Sequence, residues 1–364
     1  MDKKAILLIG DGVSATDLRY ASGFSAPDNF IFMQSGSRKI CAVSALEYNR
    51  ALSSALPGVE VLRSNANSVE TIRGIAAEWN IRTLVVPETF PVGLAEKLKA
   101  AGFALEIAAC ALFPEREFKS ALEVEKITRS LRAAEAGCRR AIEILKASDI
   151  APDRMLVWEG KPLTSEILRA EVDCTMLKLG MIAVDTICAG GLQGAQPHNT
   201  GSGHLPADMP IVMDIFPRSA SSGYWGDLTR TVVRGRASDI VKRAYETVLT
   251  ARENCKAAVR AGADPAKIHN IAVAVMEKNH FYTGHGEKGD FGFFHGLGHG
   301  VGLDIHEAPR LSPRNSKPLK GGEIVTVEPG LYYPEWGGIR LEDLVVVTEN
   351  SCRCLTELED FLEI

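Results

Sequence analysis

The sequence has no long apolar run and no block of positive charge. No stretch of its 364 residues approaches the roughly 18 apolar residues of a membrane-spanning helix. The formal net charge is −5 at pH 7, whereas a nucleic-acid-binding protein normally concentrates positive charge on one face. The apolar run after Lys4 ends at Asp11, which is too short for the core of a signal peptide. We therefore expect a cytoplasmic protein that binds neither nucleic acid nor membrane.

Cysteine is present, but never in the C-x-x-C spacing of many redox motifs and thiolate metal sites. The cysteines are scattered, mostly within apolar segments. Disulfides and a thiolate metal site are the alternatives, but the scatter favours buried free thiols in a reducing cytoplasm. The eight positions are Cys41, Cys110, Cys138, Cys174, Cys188, Cys255, Cys352 and Cys354.

The length and the order of segments predict two domains. A chain of 364 residues is long for one hydrophobic core. Its first part alternates strand-like segments, rich in Val, Ile and Phe, with helical ones. We expect a small α/β domain over residues 1–116 and a larger domain over residues 117–364. The predicted strands are AILLIG, NFIFMQ, KICAVS, VEVLRS and RTLVVP, and the predicted helices are SVETIRGIAAEWN and PVGLAEKLKAAG.

The larger domain begins with a helix that has a clear start signal. Ser120 and Glu123 form the S-x-x-E pattern of a capping box. The helix is predicted to continue to about Lys146, where its periodic pattern ends. Its predicted apolar stripe consists of Leu122, Ile127, Leu131 and Ala134.

Further helices and two strand pairs follow. Helices are predicted over residues 164–180 and 238–262. Another starts with Asp264 as N-cap and Pro265 as the first helical residue, the favoured arrangement. The predicted strand pairs are residues 210–216 with 224–233 and 321–333 with 337–347.

Each strand pair carries acidic residues in apolar surroundings. Asp214 comes late in VMDIF, where an unpaired inward carboxylate would cost several kcal/mol. Asp227 opens the returning strand, so the two carboxylates could face each other. The alternatives are aspartates that cap turns or that pair with Arg218 or Arg230.

The second strand pair repeats this pattern. Glu328 ends the apolar run IVTVE, and Glu342 lies in GIRLED. Alternation along a strand places Arg340 and Glu342 on one face and Leu341 and Asp343 on the other. The alternative is an Arg–Glu pair on a solvated edge, which leaves the similarity of the two pairs unexplained.

Three histidines lie within twelve positions of the stretch FHGLGHGVGLDIHE, residues 294–307. These are His295, His299 and His306, and the interleaved glycines allow the backbone to approach a crowded centre. An imidazole with several carboxylates suits divalent Mn, Co or Zn. Carboxylates that bridge two ions about 3.5–4 Å apart are typical of two-metal hydrolases.

The other histidines divide into one candidate pair and a surface group. His198, in QPHNTGSGHLP, is preferred to His204 as a fourth site histidine, because Pro197 and Asn199 indicate a fixed loop. The remaining three lie in a helix or a polar loop and are expected at the surface. They are His269, His280 and His285.

In order, the motifs PHN, VMDIF…GYWGDLTRT, HGLGHGVGLDIHE, TVEPGLYY and GIRLED resemble the pita-bread metallopeptidases. This group contains methionine aminopeptidases, Xaa-Pro aminopeptidases and prolidases. The match covers residues 119–364, and the N-terminal part, including DLRYASGF, resembles the creatinase-like smaller domain of the Xaa-Pro branch. The resemblance implies an α/β fold class with a small N-terminal α/β domain and a catalytic pita-bread domain.

The resemblance also implies a site and an activity. Two divalent ions would support hydrolysis of the N-terminal Xaa-Pro bond of a peptide by a homodimer. The oxygen-rich donor set favours Mn, with Co and Zn as alternatives. His198, His295 and His306 match histidines that bind substrate, and Arg340 matches an arginine of the Xaa-Pro branch. Glu328 is the expected proton acceptor. The metal ligands implied are Asp214, Asp227, His299, Glu328 and Glu342.

The sequence departs from the family pattern between Asp214 and Asp227. This stretch is two residues longer than usual, and the common D-x-G is Asp214-Ile215-Phe216 here. An even insertion keeps each residue on its face of the strand, so the longer tip FPRSASSG affects specificity more than metal binding. Arg218 in this tip is either a solvated loop residue or a contact for a substrate carboxylate.

Two other functions are compatible with the fold. One is a creatinase-like amidinohydrolase, which lacks the metal set, and the other is a non-catalytic binding module. The complete set of five ligands and three site histidines favours the peptidase.

Overall fold

The computed structural model describes residues 3–364, and the chain divides into two compact units, Met1–Arg116 and Glu117–Ile364. The first unit alternates strands with helices. Its elements are β1 (Lys4–Gly10), α1 (Thr16–Ser22), β2 (Phe30–Ser35), β3 (Arg38–Val43), α2 (Tyr48–Ser54), β4 (Val59–Arg63), α3 (Ser68–Trp79), β5 (Thr83–Val86), α4 (Val92–Ala100) and β6 (Ala104–Ile107).

A six-stranded sheet in the order β4-β3-β2-β1-β5-β6 forms the centre of the first unit. Apolar side chains cover both faces, with Ile72 and Leu84 in one cluster and Leu18 and Phe32 in the other. The five predicted strands and two predicted helices are confirmed. The sequence patterns did not predict β6, which is mostly exposed, or α1 and α2, which have seven residues each.

The second unit, which is described throughout, contains four α-helices. The first begins with the predicted capping box, in which the Ser120 backbone N–H donates to Glu123 Oε2 at 2.9 Å and Ser120 Oγ accepts from the Glu123 backbone N–H. The helices are α5 (Ala121–Ala147), α6 (Ser165–Lys178), α7 (Asp239–Ala258) and α8 (Pro265–Lys278), and short 3-10 turns lie at Pro114–Glu117 and Gly191–Ala195.

The apolar stripe of α5 differs from the prediction at its first position. Ile127, Leu131 and Ala134 are buried, but Leu122 is 58% exposed. Five residues separate Leu122 from Ile127, which corresponds to about 140° around the helix. Leu122 therefore lies off the buried face.

Helix boundaries follow the start signals better than the stop signals. The predicted N-cap Asp264 accepts a hydrogen bond from Ala266 N at 2.9 Å. In contrast, α7 ends at Ala258 rather than at the predicted Gly262, whose N–H donates to Leu319 O outside the helix. No helix within residues 3–364 has the length and apolar character needed to cross a membrane.

The strands of the second unit form several small sheets. A five-stranded sheet has the order β18-β17-β19-β22-β23, and a three-stranded sheet has the order β11-β12-β14. The strands are β7 (Asp149–Ile150), β8 (Leu156–Trp158), β9 (Lys161–Pro162), β10 (Met181–Ile182), β11 (Ile187–Gly190), β12 (Pro210–Asp214), β13 (Arg218–Ser219), β14 (Thr229–Val233), β15 (Gly284–Gly286), β16 (Gly289–Phe291), β17 (Gly298–Gly300), β18 (Glu307–Leu311), β19 (Ile324–Val327), β20 (Gly330–Tyr333), β21 (Gly337–Arg340), β22 (Asp343–Val347) and β23 (Cys352–Cys354).

Both predicted strand pairs form, and the second is interrupted. In the first, Asp214 lies opposite Thr229, so Asp227 precedes the paired region and is not its cross-strand neighbour. In the second, β19 pairs with β22 and β20 pairs with β21. Both strands of this pair break, one at Glu328 and the other at Glu342. Acidic residues therefore lie at the positions where the strand pairing is interrupted.

All eight cysteines are free, as predicted, but only half of them are buried. Cys354 is exposed because it lies on β23, the edge strand of its sheet. The prediction of buried thiols is therefore wrong for Cys110, Cys174 and Cys354, and Cys352 is half-buried.

Replacing Ile127 with alanine should lower the free energy of unfolding by about 2–5 kcal/mol, because the side chain is fully buried and its loss leaves a cavity. Leu122→Ala, on the same helix, is the matched control and should change it by less than about 0.5 kcal/mol. Urea unfolding followed by circular dichroism measures both. Equal losses would show that the buried face of α5 is assigned wrongly.

Candidate metal centre

Five side chains with ligand-type atoms lie at strand ends and strand breaks of the second unit. Asp214 ends β12, Asp227 precedes β14, and His299 lies in β17. Glu328 follows β19, and Glu342 precedes β22. Asp227, His299 and Glu342 are buried, whereas Asp214 and Glu328 are half-buried. The interrupted ladders let side chains from different strands reach one region.

The oxygen and nitrogen atoms of these side chains approach one another closely. One ligand-type atom from each of Asp227, His299 and Glu342 lies within 4.8 Å of the other two. His299 Nε2 is 3.2 Å from Glu328 Oε1 and 3.6 Å from Asp227 Oδ2. Four of the five predicted ligands therefore surround one point.

The carboxyl groups of this cluster strongly affect one another. Burial raises the pKa of Asp227 well above its usual range, and Glu342, Asp214 and Glu328 raise it further. Burial also raises the pKa of Glu342, to which Glu328 and Asp214 add. For Glu328, burial opposes the charge, but the hydrogen bond and charge of His299 lower its pKa to about 2. A divalent cation would relieve this repulsion, so the donor set fits a metal.

Two threonines orient the ligand-type side chains. Thr229 Oγ1 donates to Glu342 Oε2 at 2.8 Å. Thr326 Oγ1 donates to Glu328 Oε1 at 3.2 Å and accepts from His299 N at 3.0 Å. Sequence reasoning missed both threonines. The sequence signal that could have found them is an acid two residues away, in DLT and TVE. In an extended strand this spacing places the threonine and the acid of each segment on the same face.

Arg340 is buried and contacts Asp214 rather than Glu342. Its Nη2 donates to Asp214 Oδ2 at 2.6 Å, and its Nη1 donates to the Tyr332 hydroxyl at 2.9 Å. The alternative of an Arg–Glu pair on a solvated edge is therefore wrong. Tyr332, which was not predicted, also lies 3.0 Å from His295 Nε2. It links the charged cluster to a predicted substrate-binding histidine.

Alternation along the strand separates Glu342 from Asp343, as predicted. Asp343 lies 3.0 Å from Arg230 Nη2 and 2.6 Å from Lys256 Nζ. Arg230 Nη1 also donates to the backbone carbonyl of Glu342 at 2.6 Å. Arg230 therefore pairs with this second acid rather than with either aspartate of the first strand pair.

The other predicted site histidines border the cluster. His306 is exposed, and its ring stands perpendicular to that of His299 with 4.4 Å between the centroids. Partial burial and the charge of His299 lower the pKa of His306 to about 4, so it is neutral at pH 7. His198 is exposed and follows Pro197, whose carbonyl accepts from Arg340 Nη1 at 3.3 Å.

One histidine that was predicted at the surface is buried. His280 and His285 are exposed, but His269 is only 7% exposed. Its ring stacks on Phe293 with 5.1 Å between the centroids. The prediction overlooked that His269 lies three residues before the buried Ala272 of α8, a spacing that marks one helix face.

A family comparison accounts for this arrangement. The sequence profile of metallopeptidase family M24 matches residues 125–349, which is more than half of the chain. The chain belongs to metallopeptidase family M24. Its five ligand-type side chains all lie within the matched region, and the chain binds divalent metal as a member of this family. The resemblance inferred from the ordered motifs is confirmed.

Several named relatives match along much or all of the chain. A Xaa-Pro dipeptidase from Pyrococcus horikoshii is 29% identical over 99% of this chain and 95% of its own length. A Xaa-Pro dipeptidase from Pyrococcus furiosus is 34% identical over 67% of this chain and 68% of its own. The structure of an X-Pro aminopeptidase from Thermotoga maritima gives a TM-score of 0.86 at 24% identity, covering 100% of this chain and 98% of its own. The predicted fold class is confirmed.

The affinity of this M24 chain for Mn²⁺ should rise with pH. Because the pKa values of Asp227 and Glu342 are raised, these carboxyls retain protons where ordinary carboxyls are ionised. A metal must displace those protons, so affinity should increase as the pH rises above the usual carboxyl range, with proton release. Titration calorimetry in two buffers of different ionisation enthalpy measures both quantities. A flat affinity without proton release would contradict the raised pKa values.

Proposed function

We propose that the chain is a dinuclear-metal exopeptidase that hydrolyses the N-terminal Xaa-Pro bond of dipeptides or short peptides. The two Pyrococcus relatives, named Xaa-Pro dipeptidases, support this substrate class. The observation that carries the proposal is the convergence of Asp227, His299 and Glu342 within 4.8 Å in a chain of family M24.

Five side chains are the proposed ligands of two divalent ions. The resemblance assigns Asp227 and Glu342, the most buried acids of the cluster, to both ions. It assigns Asp214 to one ion, and His299 with Glu328 to the other. The oxygen-rich donor set favours Mn²⁺ over Co²⁺ or Zn²⁺. Such ions supply Lewis-acid activation of water at neutral pH.

Glu328 is the proposed acceptor of the proton from the attacking water. Thr326 Oγ1 and His299 Nε2 each lie 3.2 Å from its Oε1 and hold the carboxyl group in place. The same carboxyl then delivers the proton to the leaving nitrogen. Such positioned acid–base groups contribute rate factors of about 10²–10⁴.

Two imidazoles are proposed to bind the reacting part of the substrate. His306, with a pKa of about 4, has an N–H that can donate to the oxyanion developing on the scissile carbonyl. His198 is proposed to donate to the substrate amide. Removal of one such donor typically costs about 2.7–4 kcal/mol of transition-state stabilisation.

The proline ring is proposed to bind against an aromatic wall. A Xaa-Pro bond has no amide hydrogen, so its recognition depends on shape and apolar contact. Phe294, which is 39% exposed, lies 5.4 Å from the Tyr332 ring, and His295 lies 5.4 Å from the same ring. Arg340 supports this end through its hydrogen bond to the Tyr332 hydroxyl.

The organisation of the protein around this site is also proposed. We assign Glu117–Ile364 as the catalytic domain, because it contains all five proposed ligands, and Met1–Arg116 as the creatinase N-terminal-like domain. A homodimer and a cytoplasmic location stay predictions from the sequence.

Hydrolysis of defined peptides tests the proposed function. The Mn²⁺-loaded protein should release alanine from Ala-Pro or Ala-Pro-Ala, and act about 10- to 200-fold more slowly on Ala-Ala, because the pocket fits the ring. Activity on Ala-Pro alone identifies a dipeptidase, and activity on the tripeptide identifies an aminopeptidase. Loaded protein that cleaves neither Xaa-Pro peptide would contradict the proposal.

Two variants separate the metal from the chemistry in this assay. Glu342→Ala should lose both bound metal and activity, because it removes a shared ligand. His306→Ala should keep the metal and lose about 10²–10³-fold in kcat, the usual cost of an oxyanion donor. Full turnover by His306→Ala would show that its role is assigned wrongly.

A further inference from the structure

The loop that carries His306, residues 302–307, is held on one side by a buried carboxylate. Glu307 Oε1 accepts from the backbone N–H of Asp304 at 3.0 Å, and its Oε2 accepts from Lys119 Nζ at 3.0 Å. The side chains of Lys119 and Glu307 are 1% and 8% exposed. A Cβ on Gly302 would lie 2.4 Å from Glu307 Oε2, so glycine is required for this close approach.

Trp225 holds the same loop from the first strand pair. Its backbone N–H donates to Gly302 O at 2.9 Å, and its indole Nε1–H donates to Leu303 O at 2.9 Å. One residue thus satisfies two consecutive carbonyls of the His306 loop. Trp225 also lies two residues before the proposed ligand Asp227, so it joins two parts of the site.

The neighbours of Trp225 fix its position. The Tyr224 carbonyl accepts from Ser130 Oγ of α5 at 2.9 Å. Gly226 packs directly on the same helix, since a Cβ there would lie 2.3 Å from Leu131 N. Gly226 N donates to Pro217 O at 3.0 Å, which closes the lengthened tip between the two aspartates. The backbone on both sides of Trp225 is therefore held in place, which fixes the position of its indole ring.

His306 lies on this loop, and its side chain is exposed. Its ring nevertheless stands 4.4 Å from that of His299, between their centroids. We propose that Trp225 is a positioning residue, which sets the placement of His306 through its hydrogen bonds to the carbonyls of Gly302 and Leu303. This inference rests on the role proposed for His306.

Trp225→Phe tests the inference, because it keeps an aromatic ring and removes the indole donor. We expect kcat for the Xaa-Pro substrate to fall about three- to tenfold, as loss of one hydrogen bond implies, with KM and bound metal unchanged. Trp158→Phe is the matched control, since Trp158 is also half-buried but contacts Arg140 and lies outside the site. Its kcat should equal that of the wild type.

A double-mutant cycle distinguishes positioning from a general structural effect. In the His306→Ala background, Trp225→Phe should cause no further fall in kcat, because the residue it positions is gone. An equal fall in both backgrounds, or a full kcat in Trp225→Phe alone, would overturn the inference.

Hydrogen–deuterium exchange of the metal-free protein gives an answer that does not depend on turnover. Backbone amides in residues 302–307 should exchange faster in Trp225→Phe than in the wild type or in Trp158→Phe. Unchanged exchange would overturn the inference. A wild-type protein that cleaves no Xaa-Pro peptide would instead refute the proposed function, and exchange alone would then decide whether Trp225 holds the loop.

Discussion

Repulsion among carboxylates in a small, poorly solvated volume is the constraint on which the whole site depends. Asp227 and Glu342 are buried, and Asp214 and Glu328 are half-buried beside them. Such charges cannot share this space without counter-charge or protonation. Arg340 pairs with Asp214, and a divalent metal held by the other acids would supply the remaining counter-charge.

The fold meets this constraint by directing neighbouring acids of one strand segment to opposite sides. The ladder β19–β22 stops where Glu328 and Glu342 turn toward the cluster. The hydroxyl of Thr326 on β19 donates to Glu328, and that of Thr229 on β14 donates to Glu342. One residue further along, Asp343 points to the opposite side and pairs with Arg230 and Lys256. Glu342 and Asp343 are thus adjacent in the chain but have different partners. Glu342 is a proposed metal ligand, and Asp343 pairs with the basic side chains behind it.

The cluster could be predicted from the sequence because it consists of charged and polar residue types that are unfavourable in apolar segments unless they bind something. Acids at the ends of apolar runs and histidines among glycines require an explanation, and a metal supplies it. The sequence could not predict Tyr332, whose contacts with Arg340 and His295 depend on the register of β20 and β21. His269 was misplaced because one polar residue in a helical stripe reads as exposed unless the facing aromatic, Phe293, is known.

The register of the first strand pair shows the same limit. A simple hairpin would set Asp214 against Asp227, but the long tip leaves Asp227 beyond the paired region. Thr229, the residue opposite Asp214, lies two positions after Asp227, so alternation puts both acids on one face, and Asp214 contributes to the raised pKa of Asp227.

Metal content tests the central claim most directly. The protein would be stripped with a chelator, reloaded with Mn²⁺, freed of excess by gel filtration and measured by inductively coupled plasma mass spectrometry. The account predicts about two ions per chain, as a carboxylate-bridged pair requires. A folded protein that retains none would contradict it.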